Sequence, residues 1–216
     1  MSKYNKTFHL PWSKGASSDD KIAKSVSSLI GVEIIITEKL DGENCVITNE
    51  GVYSKSRTAF TTAPWSKEVR GIHTNKIKNL LEPNMCVYGE NMECIRSIEY
   101  GDLQSYLYIF AIRNEDEWLS WHDVEVNAFL LDIPTVPLLF KGTVTSEKEL
   151  KDLTETLANK PSALGGKREG VVVRKSNSFS DKDFPNSVMK WVRDGHVQSD
   201  EHWTKKWRKA KLNWSF

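Results

Sequence analysis

Few of the features that place a protein at sight are present in this 216-residue chain. Its three cysteines, Cys45, Cys86 and Cys94, form no metal-type pair, and an odd count argues against a disulfide scaffold. It has almost no net charge, with 30 Lys and Arg against 29 Asp and Glu. No global field therefore attracts a polyanion, and any nucleic-acid surface has to be local. No apolar run approaches the length of a membrane span, and the opening "MSKYNKTFHLPW" has no stretch of signal-peptide length. A soluble, cytoplasmic protein is the expectation. Internal repeats, low-complexity tracts and Pro/Gly/Ser linkers are also missing. What is there, 39% hydrophobic and 27% charged residues, suits one globular unit with its own core. Tryptophan stands out: eight of them bring large flat surfaces that pack or stack on bases.

The patterning predicts α+β architecture with mostly antiparallel sheets, because strands come in runs with helices interposed but not alternating. "SSDDKIAKSVSSLIG" reads as a short amphipathic helix stopped by Gly31. "VEIIITEKL", "NCVITN" and "GVYSKSR" read as three strands joined by Asp-Gly and Asn-Glu-Gly turns. A helix is predicted over 67–81, ending before Glu82-Pro83, and another over 121–131. "MCVYGEN" and "SYLYIFAIR" are β-branched and aromatic enough for buried strands. Ser146 and Glu149 have capping-box spacing ahead of "LKDLTETLANK". "REGVVVRK" and "SVMKWVR" close the strands, and 200–212 reads as a helix with Trp203, Trp207, Ala210 and Trp214 on one stripe.

Within "TEKLDGENCVI" one lysine, Lys39, sits at the mouth of a buried strand between Glu38 and Asp41. A surface lysine beside a common hairpin turn would explain it. A nucleophile explains it more sharply. Lysine's reference pKa near 10.4 leaves about one part in a thousand as free amine near neutrality. Partial burial and neighbouring cations lower that pKa, and a rigid strand end aims the nitrogen. The glycine then lets the chain approach a bound nucleotide without a Cβ in the way.

"EKLDGEN" resembles the first motif of the covalent nucleotidyltransferases, the superfamily of polynucleotide ligases and messenger-RNA capping enzymes. Asn44, two residues past the glycine, is closer to RNA ligases of the type-2 family; DNA ligases more often carry arginine there. Further blocks follow in the family's order. "VYSKSR" maps its Ser-Arg onto Ser56 and Arg57, "VYGEN" its glutamate onto Glu90, and "YLYIFAIR" its base-stacking aromatic onto Phe110, with Tyr108 as competitor. "REGVVVRK" resembles the fourth block through Glu169 and Gly170, and "SVMKWVR" the fifth through Lys190. The fifth departs from the pattern: the usual second lysine, two residues on, is missing. Arg193 falls on the opposite face by alternation unless the strand bulges. Arg193, Arg174 and Lys175 all remain open as substitutes. A narrower likeness to short phage and bacterial RNA-ligase-family proteins rests on "HLPWS" and "HVQSDEHW".

The resemblance implies a single nucleotidyltransferase (adenylation) domain over 1–216, with antiparallel sheets flanked by helices and ATP between the sheets. It sets off 1–30 as an N-terminal extension and 195–216 as a basic, Trp-rich tail, with no appended OB-type barrel. It also implies an ATP-dependent RNA ligase with an RNA-repair role, in which Lys39 becomes lysyl-AMP, AMP passes to a 5′-phosphate end, and a 3′-hydroxyl displaces it. Lys39, Glu169 and Lys190 would be catalytic; Glu38, Asn44, Arg57, Glu90, Phe110 and Lys190 would hold the nucleotide. Glu169 would serve Mg2+, or Mn2+ in its place. Arg57 and the tail cations Lys205, Lys206, Arg208, Lys209 and Lys211 are candidates for RNA phosphates; the tail tryptophans read better as docking a helix, which is compatible with phosphate contact by the lysines. His196, Asp200 and His202 are better explained as surface groups than as a metal site. A monomer working beside an end-healing kinase or phosphatase is expected. The rivals are a ligase for DNA ends, a capping-type guanylyltransferase, and a catalytically silent nucleic-acid-binding module.

Overall fold

The computed structural model describes residues 4–54, 59–195 and 207–213. Two sheets dominate it. The five-stranded sheet runs in the order β1 (Phe8–His9), β12 (Val188–Val192), β10 (Gly170–Lys175), β2 (Glu33–Lys39) and β9 (Leu138–Thr143). The six-stranded sheet runs β11 (Phe179–Ser180), β8 (Glu117–Trp118), β7 (Leu107–Asn114), β5 (Met85–Asn91), β3 (Glu43–Ile47) and β4 (Val52–Ser54). Of these pairings only β1 with β12 is parallel. The expected α+β class with antiparallel sheets is what the chain forms.

β2 shows why. Its run of isoleucines is buried on both sides of the sheet, so the pattern is continuous rather than alternating. Ile34 and Ile36 pack with Val171, Val173, Met189 and Trp191 under α3 (Glu147–Ala158). Ile35 points the other way, into the core that includes α1 (Lys67–Ile72) and α2 (Trp121–Leu130). Between the sheets lies an aromatic cluster of Tyr88, Trp118 and Phe184, closed by Val172 and Val188; Phe184 opens α4 (Phe184–Ser187). Ser146 caps α3 by accepting the Glu149 N–H at 3.1 Å, but the Glu149 carboxylate turns to Thr145 rather than closing the box.

Two predicted helices are not helices. Over 17–31 only a 3-10 turn forms, Ser27–Leu29. Serines and aspartates there bond locally, as Ser17 does to Asp20 and Ser27 to Ser25, which competes with helix. The backbone instead runs beside β1, with His9 N donating to Lys21 O and Ala23 N to His9 O, both at 2.8 Å. At the other end, the described part of 200–212 is extended: β13 (Arg208–Lys209) pairs with β6 (Cys94–Ile95). Ladder bonds there and Ala210 N to Glu93 O satisfy a backbone that a helix would have satisfied internally. Trp203 and Trp214 lie outside the described residues. The helix expected over 67–81 is α1 continued by a wider turn, His73–Ile77. Among the described residues, no helix is long and apolar enough to cross a membrane.

Candidate nucleotide site

β2 ends at Lys39, and β10 begins at Gly170 directly opposite. Glu169, just before that glycine, grips the lysine with both oxygens, at 2.6 and 2.7 Å from Nζ. A Cβ on Gly170 would lie 2.1 Å from the Trp191 carbonyl, so only glycine lets β10 and β12 close at this point. Pairing then sets Thr37, Val172 and Lys190 abreast across the sheet, on the same face as Lys39.

The Asp41-Gly42 turn is clamped to β5 and to residues 96–100, which follow β6. Asp41 Oδ2 accepts the N–H groups of Ser97 and Ile98, both at 2.8 Å, and Tyr100 OH accepts the Asp41 N–H. Arg96 donates to Gly42 O. Gly42 N donates to Glu90 Oε1 at 3.1 Å. A Cβ on Gly42 would stand 2.6 Å from Asn91 O and 2.8 Å from Glu90 Cγ. The glycine is thus required by contact with β5, not by clearance for a ligand as its sequence suggests.

Glu90 and Asn44 are direct cross-strand partners and so share a face. Burial, with the Glu169 charge adding to it and Lys39 opposing, pushes the Glu90 carboxyl up to about 7. Asn44 Oδ1 is buried with no hydrogen-bond partner, an acceptor that a water or a ligand donor would satisfy. Burial alone would lower the Lys39 pKa, but Glu169, Glu90 and Asp41 outweigh it and the amine stands above its ordinary value. The expected depression by neighbouring cations is therefore reversed in this structure, because acids rather than bases surround the amine. Lys190 moves the other way, lowered by burial and by Lys39 against the pull of Asp20.

Phe110 sits where the β5–β7 register shifts: Tyr88 faces Ala111 and Gly89 faces Ile109, leaving Phe110 without a partner. Its ring stays half-buried and meets Tyr4 edge-on, 5.1 Å between centroids. Tyr108 is 3% exposed and its hydroxyl accepts the Gln104 N–H, so of the two aromatics only Phe110 retains accessible surface. Of the candidate second cations, Arg174 is committed elsewhere, bonded to Leu119 O and lying over Phe179. Val192, two residues past Lys190, is buried.

Glu38 does not join this group. Its carboxylate lies on the other face of β2, paired with Arg168 at 3.2 Å and accepting the Ala163 N–H. Alternation along the strand separates it from Lys39. Arg57, Lys205 and Lys206 lie outside the described residues, as do His196, Asp200 and His202. Arg208 and Lys209 are paired with Glu99 and Glu68, and Lys211 is exposed. Three participants carry no sequence signal that singles them out: Arg96, Asp20 (3.6 Å from Lys190) and Tyr4, ringed by Tyr88, Phe110, Trp118 and Phe184. Burial, against a nearby Arg174, pushes the Tyr4 phenol up to about 12.

Among the described residues, no three His, Cys, Asp or Glu side chains form a self-sufficient metal cage. Glu169, with Glu90 nearby, still offers hard oxygen donors of the kind that hold Mg2+ or Mn2+ jointly with phosphates and water. The donor set fits such an ion.

A comparison with curated proteins returned no match. Solved structures share the fold. A Naegleria gruberi RNA ligase mutant in the apo form aligns at 16% identity and TM-score 0.56, over 80% of this chain and 52% of that one. Another mutant of that ligase, with ATP and Mn, aligns at 14% identity and TM-score 0.55, over 91% and 62%. An archaeal ATP-dependent RNA ligase aligns at 17% identity and TM-score 0.53, over 89% and 48%. The chain thus spans about half to three-fifths of the length of these proteins. The RNA ligase family model matches residues 32–192, the stretch that runs from β2 with its lysine to the end of β12. By that match the chain belongs to the RNA ligase family.

Proposed function

We propose that the chain joins RNA ends at the expense of ATP, through an AMP adduct on Lys39. The observation that carries this reading is the two-oxygen grip of Glu169 on Lys39 at the end of β2, 2.6 and 2.7 Å. It identifies one aimed amine and the acid that restrains it.

While Glu169 holds it, Lys39 is an ammonium and cannot attack. It becomes a nucleophile once the Glu169 charge is engaged elsewhere and the proton leaves Nζ. A divalent ion held by Glu169 would neutralise triphosphate oxygens and the pyrophosphate leaving group. Lys39 Nζ then forms a P–N bond to the α-phosphorus as the bond to pyrophosphate breaks. In the second transfer a 5′-phosphate oxygen displaces the amine, which recovers a proton; in the third a 3′-hydroxyl attacks that 5′-phosphorus and AMP leaves. Each is an in-line displacement, so the residues act by position and charge. Lys190 faces the phosphates, Glu90 and Asn44 the ribose, and Phe110 the base. The solved Naegleria ligase with ATP and Mn supports the nucleotide and the metal class by analogy of fold.

The test is denaturing electrophoresis after incubation with radiolabelled ATP or GTP and magnesium, with and without nicked or single-stranded RNA and DNA. Label from ATP alone, chased by RNA ends into a joined product, is expected. Label from GTP, or a chase by DNA only, would replace this reading with one of its rivals.

A further inference from the structure

Lys190 meets a carboxylate from a part of the chain that precedes every catalytic motif. Asp20 Oδ1 lies 3.6 Å from Lys190 Nζ. Its Oδ2 accepts the Ser17 N–H at 3.1 Å and the Ser17 hydroxyl at 2.9 Å, and lies 3.3 Å from His9 Nε2. His9 is 1% exposed. Its Nδ1 stands 2.8 Å from Ser13 Oγ, which accepts the Val192 N–H at 2.9 Å. Backbone bonds at Lys21 and Ala23 fasten the residues just after Asp20 to β1, and β1 pairs with β12 at Met189 and Lys190. Carboxylate and ammonium therefore hang from one strand pair. The backbone bonds keep Asp20 beside β1, and the Ser17 bonds to Oδ2 hold its carboxylate toward Lys190.

The 3.6 Å separation is longer than a hydrogen bond, so it directs the ammonium without consuming its three donors. Lys190 needs such direction. Buried Val192 stands where the family pattern places a second cation, and nearby Lys39 repels the ammonium.

We infer that Asp20, held by Ser17 beside His9, is a positioning residue that holds Lys190 against the reacting phosphates, doing by orientation what the missing second cation does elsewhere by charge. This rests on the reading of Lys190 as a phosphate ligand. The competing idea, that Asp20 occupies the phosphate position and must be displaced, predicts the opposite sign.

The experiment is single-turnover adduct formation by the full chain with labelled ATP and magnesium chloride, for wild type, Asp20→Asn, Lys190→Ala and the double variant. Asp20→Asn should slow the step at saturating ATP by about 10- to 50-fold, as a displaced catalytic group does. The ATP concentration for half-maximal rate should move less than about threefold, because the contact is exerted in the transition state. Asp20→Glu should recover most of the rate. In the Lys190→Ala background, Asp20→Asn should add less than about twofold, since coupled residues are not additive. Equal losses in both backgrounds, or faster labelling by Asp20→Asn, would overturn the proposal. Should Asp20→Asn not fold, Ser17→Ala keeps the carboxylate and loosens it. A loss of a few-fold is then expected only while Lys190 is present, and the same loss without Lys190 overturns the assignment. A wild type that takes no label removes the phosphate reading, and this inference with it.

Discussion

Two consecutive residues of β2 form ion pairs with the two consecutive residues just before β10, and the pairs lie on opposite faces of the sheet. Lys39 with Glu169 keeps access to solvent, with 27% of the lysine side chain exposed. Glu38 with Arg168 is sealed beneath α3, at 0% and 4% exposure. The sealed pair is also imperfect: Glu38 Oε1 and Arg168 Nε are buried without partners, while the guanidinium also donates to Leu157 O. Sealing fixes a strand and leaves nothing to react, whereas partial access leaves an ion pair that a competing charge can open. A basic residue and a glutamate thus meet on each face, and which way the pleat turns them decides whether the pair is open or sealed.

The largest effect should come from breaking the open pair. Lys39→Ala should abolish the AMP adduct, and so should Lys39→Arg, because arginine stays protonated. Circular dichroism should report an intact fold in both. AMP mapped by peptide mass spectrometry to any other residue would remove Lys39 from the mechanism. Breaking the sealed pair should do the reverse. Glu38→Ala leaves Arg168 charged and unpaired, at a cost of about 3–5 kcal/mol, read from urea denaturation. At low temperature, where the variant is still folded, it should label at near wild-type rate. If it folds and does not label, Glu38 belongs to the nucleotide site, as the motif alone suggests, and the contrast between the two faces fails.

That contrast marks how far the sequence could be read. That Lys39, Glu90, Glu169 and Lys190 lie near one another was legible, because their spacing from glycines and β-branched runs is set by strand pairing. Glu38 misled because a motif records neighbours along the chain, while a strand sends neighbours to opposite faces. The N-terminal stretch misled differently: its helical spacing is real, but Ser and Asp side chains bonded their own backbone and β1 took the rest. The tail was read by a four-three-four stripe, and the backbone of β6 supplied a ladder that local periodicity cannot see. Asp20 and Tyr4 were invisible for the same reason, since Lys190 and Tyr88, which they meet in the fold, lie more than 80 residues away.

A smaller effect should separate the faces by pH. The Glu90 carboxyl is pushed up to about 7, so the folded chain holds a proton there that the unfolded chain releases near the ordinary carboxylate value. Its contribution to stability is full at lower pH and is lost as pH rises toward and through 7, a drop on the order of 2 kcal/mol. Denaturation midpoints between pH 5 and pH 8 should fall in wild type, and Glu90→Gln should flatten that slope. An unchanged slope in Glu90→Gln would place the titration on another group.

The smallest effect completes the series with pairs whose cations are exposed, although Lys209 also lies 3.8 Å from buried Glu93. Lys209 reaches Glu68 at 2.6 Å and Arg208 reaches Glu99 at 3.2 Å, with the cations 44% and 68% exposed. Exposed pairs contribute about 0–1 kcal/mol, so Arg208→Gln with Lys209→Gln should leave stability within that range. These cations were candidates for RNA phosphates, and their acids now compete for them. RNA binding across a salt series decides the matter, since each lost phosphate contact lowers the log–log slope by roughly 0.7 to 0.9. With their charges already answered by Glu68 and Glu99, the double variant should keep the wild-type slope. Lys211→Gln, at an exposed position, should lower it by one such step if the tail meets RNA. A double variant that lost two steps would show that RNA opens surface pairs as readily as a metal ion is proposed to open Lys39 from Glu169. Access to solvent, rather than the identity of the competing charge, would then be what distinguishes a working ion pair from a sealed one.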